Sequence, residues 1–277
     1  MDDHTGNTFC YESNNGMKSE GQKTALQAIH YMKQHMDQEI TSKQLAAHVG
    51  YSPYHFTRVF KRETGISPRH FLTALRIESG KQHLLKGPSL MMKMLLSIGF
   101  RSTGSFHTRF KQHVGASPKH FRVTSSTLLT HMNQYQNQDI LFESADDITT
   151  ARVTCQIKAP PAFDGIIFVG LFTRPIPDQR PIAGTALNRG RRSCTFSEMP
   201  PGNYYVMAVS IPWSLNPKDY FLLGHCLRGL HKDMIEVTRT SNHSIILPLR
   251  ERLDTDPPIL VNLPLLLLEK TAQNRAK

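Results

Sequence analysis

The sequence has few of the residues and segments that mark several common classes of protein. It has four cysteines among 277 residues, far apart and without a C-x-x-C pair, which argues against a disulfide framework and a zinc ribbon. The four are Cys10, Cys155, Cys194 and Cys226. The apolar runs at 165–172 and 259–268 are too short to span a bilayer, so we interpret both as buried strands and expect no membrane association.

The first residues lack the features of a secretory signal. Residues 1–21 are polar and acidic, with neither a basic start nor an apolar stretch. We therefore predict a disordered arm over 1–21 in a cytoplasmic protein.

Catalytic and metal-binding motifs are also missing. The 14 histidines include no H-E-x-x-H and no Cys/His set at zinc spacing. No G-x-S-x-G, Walker loop or G-x-G-x-x-G occurs either. We therefore expect no catalytic residue, no metal and no cofactor. Histidines such as His48, His55, His70 and His120 are better explained by packing or phosphate contact.

Positive charge is concentrated in one segment. Residues 22–122 carry 16 Lys and Arg against 4 Asp and Glu, whereas residues 123–277 carry 16 against 14. Such a local surplus suits a phosphate-binding surface, since neutralised phosphates release counterions. A solvated basic face would have the same composition, so charge alone leaves both interpretations open.

The basic segment contains an internal repeat. Residues 50–71 match residues 99–121 once one extra residue is allowed in the turn. The matching pairs are Gly50 and Gly99, Tyr51 and Phe100, Phe56 and Phe106, Phe60 and Phe110, Gly65 and Gly115, Ser67 and Ser117, Pro68 and Pro118, His70 and His120, and Phe71 and Phe121. Because the unit occurs twice, we favour a phosphate-binding surface over a merely solvated basic face.

Each unit has the pattern of two helices joined by a tight turn. In the first unit, Thr41 and Gln44 form a capping box that predicts a short helix through Val49, closed by a left-handed Gly50. Ser52 then caps a second helix, which has proline at its first position.

The second helix of the first unit has one apolar face and one polar face. It is predicted to end at Gly65, and its apolar residues Phe56, Val59 and Phe60 recur at helical spacing. The opposite face carries Tyr54, Thr57, Arg58 and Lys61. A rod with hydrogen-bonding and cationic side chains on one face is the form that enters a major groove.

A long helix is predicted between the units. Residues 68–86 would span about 28 Å at 1.5 Å per residue. Such a strut could place two reading helices about 34 Å apart, one turn of DNA.

These segments resemble the AraC/XylS family of transcription regulators. The resemblance covers about 100 residues and rests on LAAHVGYSPYHFTRVFKRETGISP (45–68), IGFRSTGSFHTRFKQHVGASPKHFR (98–122) and the strut between them. It implies that the second helix of each unit lies in the major groove of double-stranded promoter or operator DNA. The matching positions are Tyr54, Thr57, Arg58 and Lys61 in the first unit, and Thr103, Gly104, His107, Thr108 and Lys111 in the second. The resemblance also implies a contact with RNA polymerase, while a small-molecule effector and a homodimer stay open.

The second unit departs from the family pattern at two places. Leu95 stands where the family usually has a small residue, and overpacking there could tilt the helix pair. On the reading face, Gly104 has no side chain and Thr108 stands where Arg58 stands in the first unit. We therefore expect the first unit to supply most base specificity and the second mainly backbone contacts.

The second half of the chain has a different pattern. We interpret 123–150 as a linker, 151–270 as an all-β sandwich and 271–277 as a tail. The predicted strands are RVTCQI, GIIFVGLF, SCTFSEM, NYYVMAV, MIEVTRT, HSIILPL and PILVNLP, about seven in an antiparallel sandwich. The second to fourth of these, with a PPG turn, resemble a transthyretin-like or carboxypeptidase-regulatory-like sandwich. The fold class is therefore multidomain, an all-α double helix-turn-helix domain followed by an all-β sandwich.

The role of the sandwich is open between ligand sensing and dimerisation. Candidate ligand contacts are Tyr204, Tyr205, Trp213, Tyr220 and His225, although aromatic residues in strands more often form core. The alternative function is a DNA-modifying or repair enzyme that uses the helical module for targeting. Its best candidate nucleophile is Cys194, which follows Arg191 and Arg192 closely.

Overall fold

A computed structural model describes residues 18–87, 91–125, 151–188 and 190–275 of the chain. The predicted arm up to residue 17 and the predicted linker from residue 126 lie outside these ranges. Helices come first along the chain and strands follow. The helices are α1 (Glu20–Gln34), α2 (Ser42–His48), α3 (Pro53–Thr64), α4 (Pro68–Lys86), α5 (Met91–Ser97), α6 (Thr103–Val114) and α7 (residues 118–125).

The predicted helix boundaries are confirmed in the first unit. The backbone N–H of Gln44 donates to the Thr41 hydroxyl, and the Gln44 side chain accepts from the Thr41 backbone, so the capping box of α2 is complete. Ser52 caps α3 with Pro53 at its first position, and Gly65 ends that helix at φ 79°. Gly50 has φ 74°, the left-handed conformation expected of it.

The two helical units are fixed to each other around the strut α4. The Arg76 guanidinium donates from Nε to the Met36 carbonyl at 3.1 Å and from Nη2 to the Gln38 carbonyl at 2.6 Å, which ties α4 to the segment before α2. Gly99 approaches the same place, because a Cβ on it would clash with the Met36 carbonyl oxygen. Gly80 of α4 likewise packs against the ring of Phe106 in α6. The relative placement of the units is therefore set by the Arg76 hydrogen bonds and by the close approach of two glycines, Gly80 and Gly99, to their neighbours.

Eight strands in the described residues form two sheets. They are β1 (Arg152–Lys158), β2 (Gly165–Phe172), β3 (Ala183–Leu187), β4 (Ser193–Ser197), β5 (Gly202–Pro212), β6 (Arg228–Leu230), β7 (Ile235–Val237) and β8 (Asn242–Pro248). One sheet has the order β4-β1-β8, and the other has the order β3-β2-β5-β6 with β7 paired to β5. Alternate residues of facing strands, such as Val153, Ile167 and Val206, are buried in the layer between the sheets.

The structure differs from the sequence prediction in the strand pairing and at the last strand. β1 pairs in parallel with β8, so the sandwich is not wholly antiparallel. A parallel pair needs a long connection, and the rest of the sandwich lies between these two strands in the chain. The predicted strand PILVNLP is wrong, because no strand forms there and a helix, α8 (Leu263–Arg275), begins within it. Strands β3 and β6 were not predicted.

A second core joins the helices to the strands. Ile166 and Phe168, on the outer face of the larger sheet, belong to the same buried cluster as Phe60, Phe121 and Leu260. The rings of Phe121 and Phe221 meet edge to face with centroids 5.5 Å apart. The helical half and the strand-rich half therefore share one apolar core. None of the helices in the described ranges has the length and apolar character needed to cross a membrane.

Candidate nucleic-acid interface

The polar face of α3 points into solvent. Phe56, Val59 and Phe60 are buried beneath it, as predicted. Tyr54 is 80% exposed, and Arg58 and Lys61 are exposed as well. Within the described residues no carboxylate lies within ion-pair distance of either cation, so both are available to a phosphate or a base edge.

Thr57 is the partly buried member of the first set. Its hydroxyl donates to the Pro53 carbonyl at 2.8 Å, one turn back along α3. Since that proton is used within the helix, the hydroxyl oxygen can act toward a ligand only as an acceptor.

The predicted residues of the second unit are also exposed. Thr103, Gly104, His107, Thr108 and Lys111 lie on the outer face of α6, while Phe106 and Phe110 of the same helix are buried. A shallow depression is lined by His107, Thr108, Lys111 and Gln112. Leu95 is fully buried in α5. The expected tilt of this helix pair stays a prediction.

The strand-rich half contacts the helical module on sides other than these two faces. Its contacts run to α4, α6 and α7, through His70, Lys81, His113 and Phe121. No part of the chain that the structure describes covers either reading face.

One of these contacts is a cluster of ionisable groups that sequence reasoning missed. A single carboxylate oxygen, Asp178 Oδ2, lies 2.7 Å from His70 Nε2 and 2.9 Å from His113 Nδ1. Arg174 Nη2 lies 3.1 Å from the other oxygen, Oδ1. Burial alone would raise the pKa of Asp178, but the hydrogen bonds from His113 and His70 and the charge of Arg174 lower that pKa to about 2. The carboxylate is therefore ionised at neutral pH.

A second missed contact is made by Lys81 in the middle of the strut. Its ammonium group is buried, and Nζ lies 3.3 Å from each of the carbonyl oxygens of Ile259 and Leu260. Burial lowers the pKa of Lys81 to about 8, although Glu78 opposes the shift. This residue attaches α4 to the segment just before α8.

The aromatic residues considered as ligand contacts do not line the cleft beside α8. Tyr204 is buried between the sheets, and Tyr220 belongs to the core shared with the helices. A cleft of about 760 Å³ lies elsewhere, between the outer face of the larger sheet and α8. Its walls include Phe168, Met207, Val209, Leu266 and Leu267, with Arg180, Arg228, Arg250, Asp256 and Glu269 among its polar residues. Tyr204 and Tyr220 therefore form core, as aromatic residues of strand-rich segments more often do, and ligand contact by the five residues stays a prediction.

The cysteines considered for an enzyme differ in environment. Cys155 and Cys226 are buried, and burial raises the pKa of Cys226 to about 12, which disfavours the nucleophilic thiolate. Cys194 is partly buried in β4 and lies on the cleft with Arg191.

Comparison with known proteins identifies the class of the helical part. Residues 45–124 match the family model of a helix-turn-helix domain. This part of the chain is therefore similar to a helix-turn-helix domain, which confirms the resemblance inferred from the two repeated units.

Particular relatives share this part of the chain. An uncharacterized HTH-type transcriptional regulator of Bacillus subtilis, YobQ, is 29% identical over 108 residues, which are 39% of this chain and 45% of that protein. An uncharacterized HTH-type transcriptional regulator of Staphylococcus aureus is 30% identical over 96 residues, 35% of this chain and 13% of that protein. The chain thus spans less than half the length of either relative.

A solved structure also matches part of this chain. The C-terminal domain of AraT, a response regulator from Geobacillus stearothermophilus, is 25% identical and covers 47% of this chain and 97% of its own, with a TM-score of 0.37.

Proposed function

We propose that the protein is a DNA-binding transcription regulator that reads two successive major grooves through α3 and α6. The observation that carries this proposal is the pair of exposed polar faces, each standing on a buried aromatic face of the same helix. The helix-turn-helix match and the naming of both relatives as regulators support it. In this proposal Tyr54, Thr57, Arg58 and Lys61 contact the first groove, and Thr103, His107, Thr108 and Lys111 the second.

The strand-rich half is proposed to sense a ligand or to mediate association. The cleft beside α8 supports a small-molecule effector, because it joins apolar walls to a few charged groups, as ligand sites commonly do. Cytoplasmic location, a contact with RNA polymerase and a homodimer belong to the same proposal.

We also propose that the protein is not an enzyme. Both relatives are named as regulators, and two of the three described cysteines are buried. A Cys194→Ser variant is then expected to bind DNA as the parent does. A DNA-modifying activity that this variant lost would contradict the proposal.

Arg58→Ala tests the DNA interface most directly. Loss of a base contact by this guanidinium should weaken binding to the preferred site by about 1 to 3 kcal/mol and reduce discrimination against other sequences. Selection of the preferred site from random duplexes, followed by binding titrations at fixed salt, provides the measurement.

Arg62→Ala is the matched control on the same helix. Arg62 is exposed but pairs with Glu63 at 2.9 Å, so its removal should leave site preference unchanged. Equal loss of affinity for preferred and random DNA in the Arg58 variant would show that Arg58 contacts only phosphate. Equal behaviour of the two variants would contradict the proposed reading face.

A further inference from the structure

Three possible metal ligands meet where both helical units contact the strand-rich half. His70 lies in the first turn of α4, His113 in the last turn of α6, and Asp178 in the segment between β2 and β3. Their donor atoms, His70 Nε2, His113 Nδ1 and a carboxylate oxygen, lie within 4.8 Å of one another. We propose that these three residues bind a divalent transition-metal ion of the zinc class at this junction.

The donor set suits such an ion. Imidazole nitrogen and carboxylate oxygen are first-row transition-metal ligands, whereas Mg²⁺ and Ca²⁺ prefer oxygen ligands alone. Two histidines and one carboxylate fill three positions of a tetrahedral site and leave the fourth for water or a small anion. Because metal-bound imidazoles are neutral, each proton now directed at Asp178 would move to the other ring nitrogen or leave.

The surroundings of Asp178 favour a charged ligand. Its side chain is fully buried, and the oxygen Oδ1 has no hydrogen bond of good geometry although Arg174 lies 3.1 Å from it. A carboxylate bound to metal through one oxygen commonly has its other oxygen paired with a neighbouring group, and Arg174 is placed for that. The His70 side chain is 22% exposed, which leaves a route from solvent.

The helix-turn-helix repeat does not itself require this cluster. The counterpart of His70 in the second unit is His120, which is exposed, and the counterpart of His113 in the first unit is Glu63. The pair of histidines is therefore not repeated in the two units, and it lies where α4 and α6 meet the β2–β3 segment. A metal there would fix the strut α4 and the reading helix α6 to the strand-rich half at one point.

Metal binding to the full chain tests the proposal, and it is measured without DNA, so its failure is distinguishable from failure of the proposed function. Zn²⁺ is titrated calorimetrically, and Co²⁺ is used to record the visible spectrum of the site. We expect one tight site per chain and the absorption of four-coordinate Co²⁺ with nitrogen and oxygen ligands. We also expect Zn²⁺ to raise the thermal unfolding midpoint, because the ion binds the folded state.

Variants identify the ligands. Asp178→Asn and His113→Gln should each weaken Zn²⁺ binding by more than about tenfold, a loss that even outer-shell changes can produce. His120→Gln is the matched control, since it removes the exposed repeat counterpart of His70 and should leave the tight site intact. If a variant at the two buried positions does not fold, His70→Gln replaces it, because His70 is partly exposed.

Three results would overturn the proposal. One is the absence of a tight site, which would make the cluster a hydrogen-bonded contact only. Another is equal Zn²⁺ affinity in His70→Gln, Asp178→Asn and His120→Gln, which would assign binding to scattered surface histidines. The third is a Co²⁺ spectrum with strong sulfur-to-metal charge transfer, which would assign binding to cysteine.

Discussion

Lys81 is a cationic side chain placed where the fold leaves it little access to water. Two backbone carbonyls solvate its ammonium group, and no carboxylate in the described residues pairs with it. Burial therefore lowers the pKa of Lys81 to about 8 in the folded chain, whereas the unfolded chain would hold the proton up to about pH 10.5. A shift of this size corresponds to about 3 kcal/mol of destabilisation while the group is charged in both states.

The pH dependence of stability follows from this shift. Between pH 8 and 10.5 the unfolded chain binds more protons at Lys81 than the folded chain, so the free energy of unfolding should rise with pH across this window. Urea denaturation at pH 7.5, 9 and 10, run on the parent and on Lys81→Met, measures this contribution as the difference between the two. A variant with the same slope as the parent would contradict the assignment.

Single residues differ in how well sequence could place them. Arg58 and Lys61 were predictable because helical periodicity alone puts them opposite Phe56 and Phe60. His70, His113 and Asp178 were not, since tertiary packing brings Asp178 to histidines that lie 65 and 108 residues away in the sequence. No local pattern carries that information.

Gly50 and Gly99 are repeat counterparts whose surroundings differ. Both have a left-handed backbone, with φ 74° and 77°. A Cβ at Gly50 would meet nothing within 4 Å, whereas one at Gly99 would clash with the Met36 carbonyl and the Arg76 side chain. The second glycine alone lies at the contact between the two units.

Alanine at each position separates backbone strain from this contact. Gly50→Ala should cost about 1 to 2 kcal/mol, the strain of a left-handed alanine. Gly99→Ala should cost roughly 1 to 3 kcal/mol more, because the obstacle is backbone and overpacking adds to the strain. Chemical denaturation of both variants gives the difference. Equal costs would mean that α4 and its neighbours move to accommodate the added methyl group at position 99 without a further loss of stability.

Secondary structure was most predictable where local chemistry decides it. Capping residues and glycines at helix ends act within one turn. As predicted, α2 begins after Thr41, and α3 begins after Ser52 and ends at Gly65. The apolar run at 259–268 is ambiguous, since a short run without periodicity suits a strand or a helix equally. Its residues pack against the larger sheet and the strut, and α8 starts within it.

Across the whole molecule, the surplus of positive charge is carried by the helical half. Its exposed cations include Lys43, Lys93, Arg101, Lys119 and Arg122 in addition to those on the reading faces. A surface of this kind binds DNA largely by displacing counterions.

The expected signature is a steep dependence of affinity on salt. A plot of log affinity against log salt should have a slope of about −4, which corresponds to roughly four or five neutralised phosphates. Fluorescence anisotropy with a preferred duplex between 50 and 300 mM KCl would measure it. A flat profile would be incompatible with the basic face as the DNA-binding surface.

Overall architecture was predictable as helices followed by strands, because periodicity changes from 3.6 to 2 along the chain. The docking of one half on the other was not, since the residues involved, such as Phe121 and Phe221, look like ordinary core residues of separate domains. The same holds for the parallel pairing of β1 with β8.

Because the two halves share one apolar core, we expect them to associate even without the covalent link between them. Fragments 1–125 and 151–277, produced as separate polypeptides, should complement each other and co-elute as a heterodimer, because each would otherwise leave its share of the Phe121, Phe168 and Leu260 cluster in water. Independent elution of two folded fragments would contradict this. If they do associate, any molecule that binds the strand-rich half is also held in a fixed orientation relative to the reading helices.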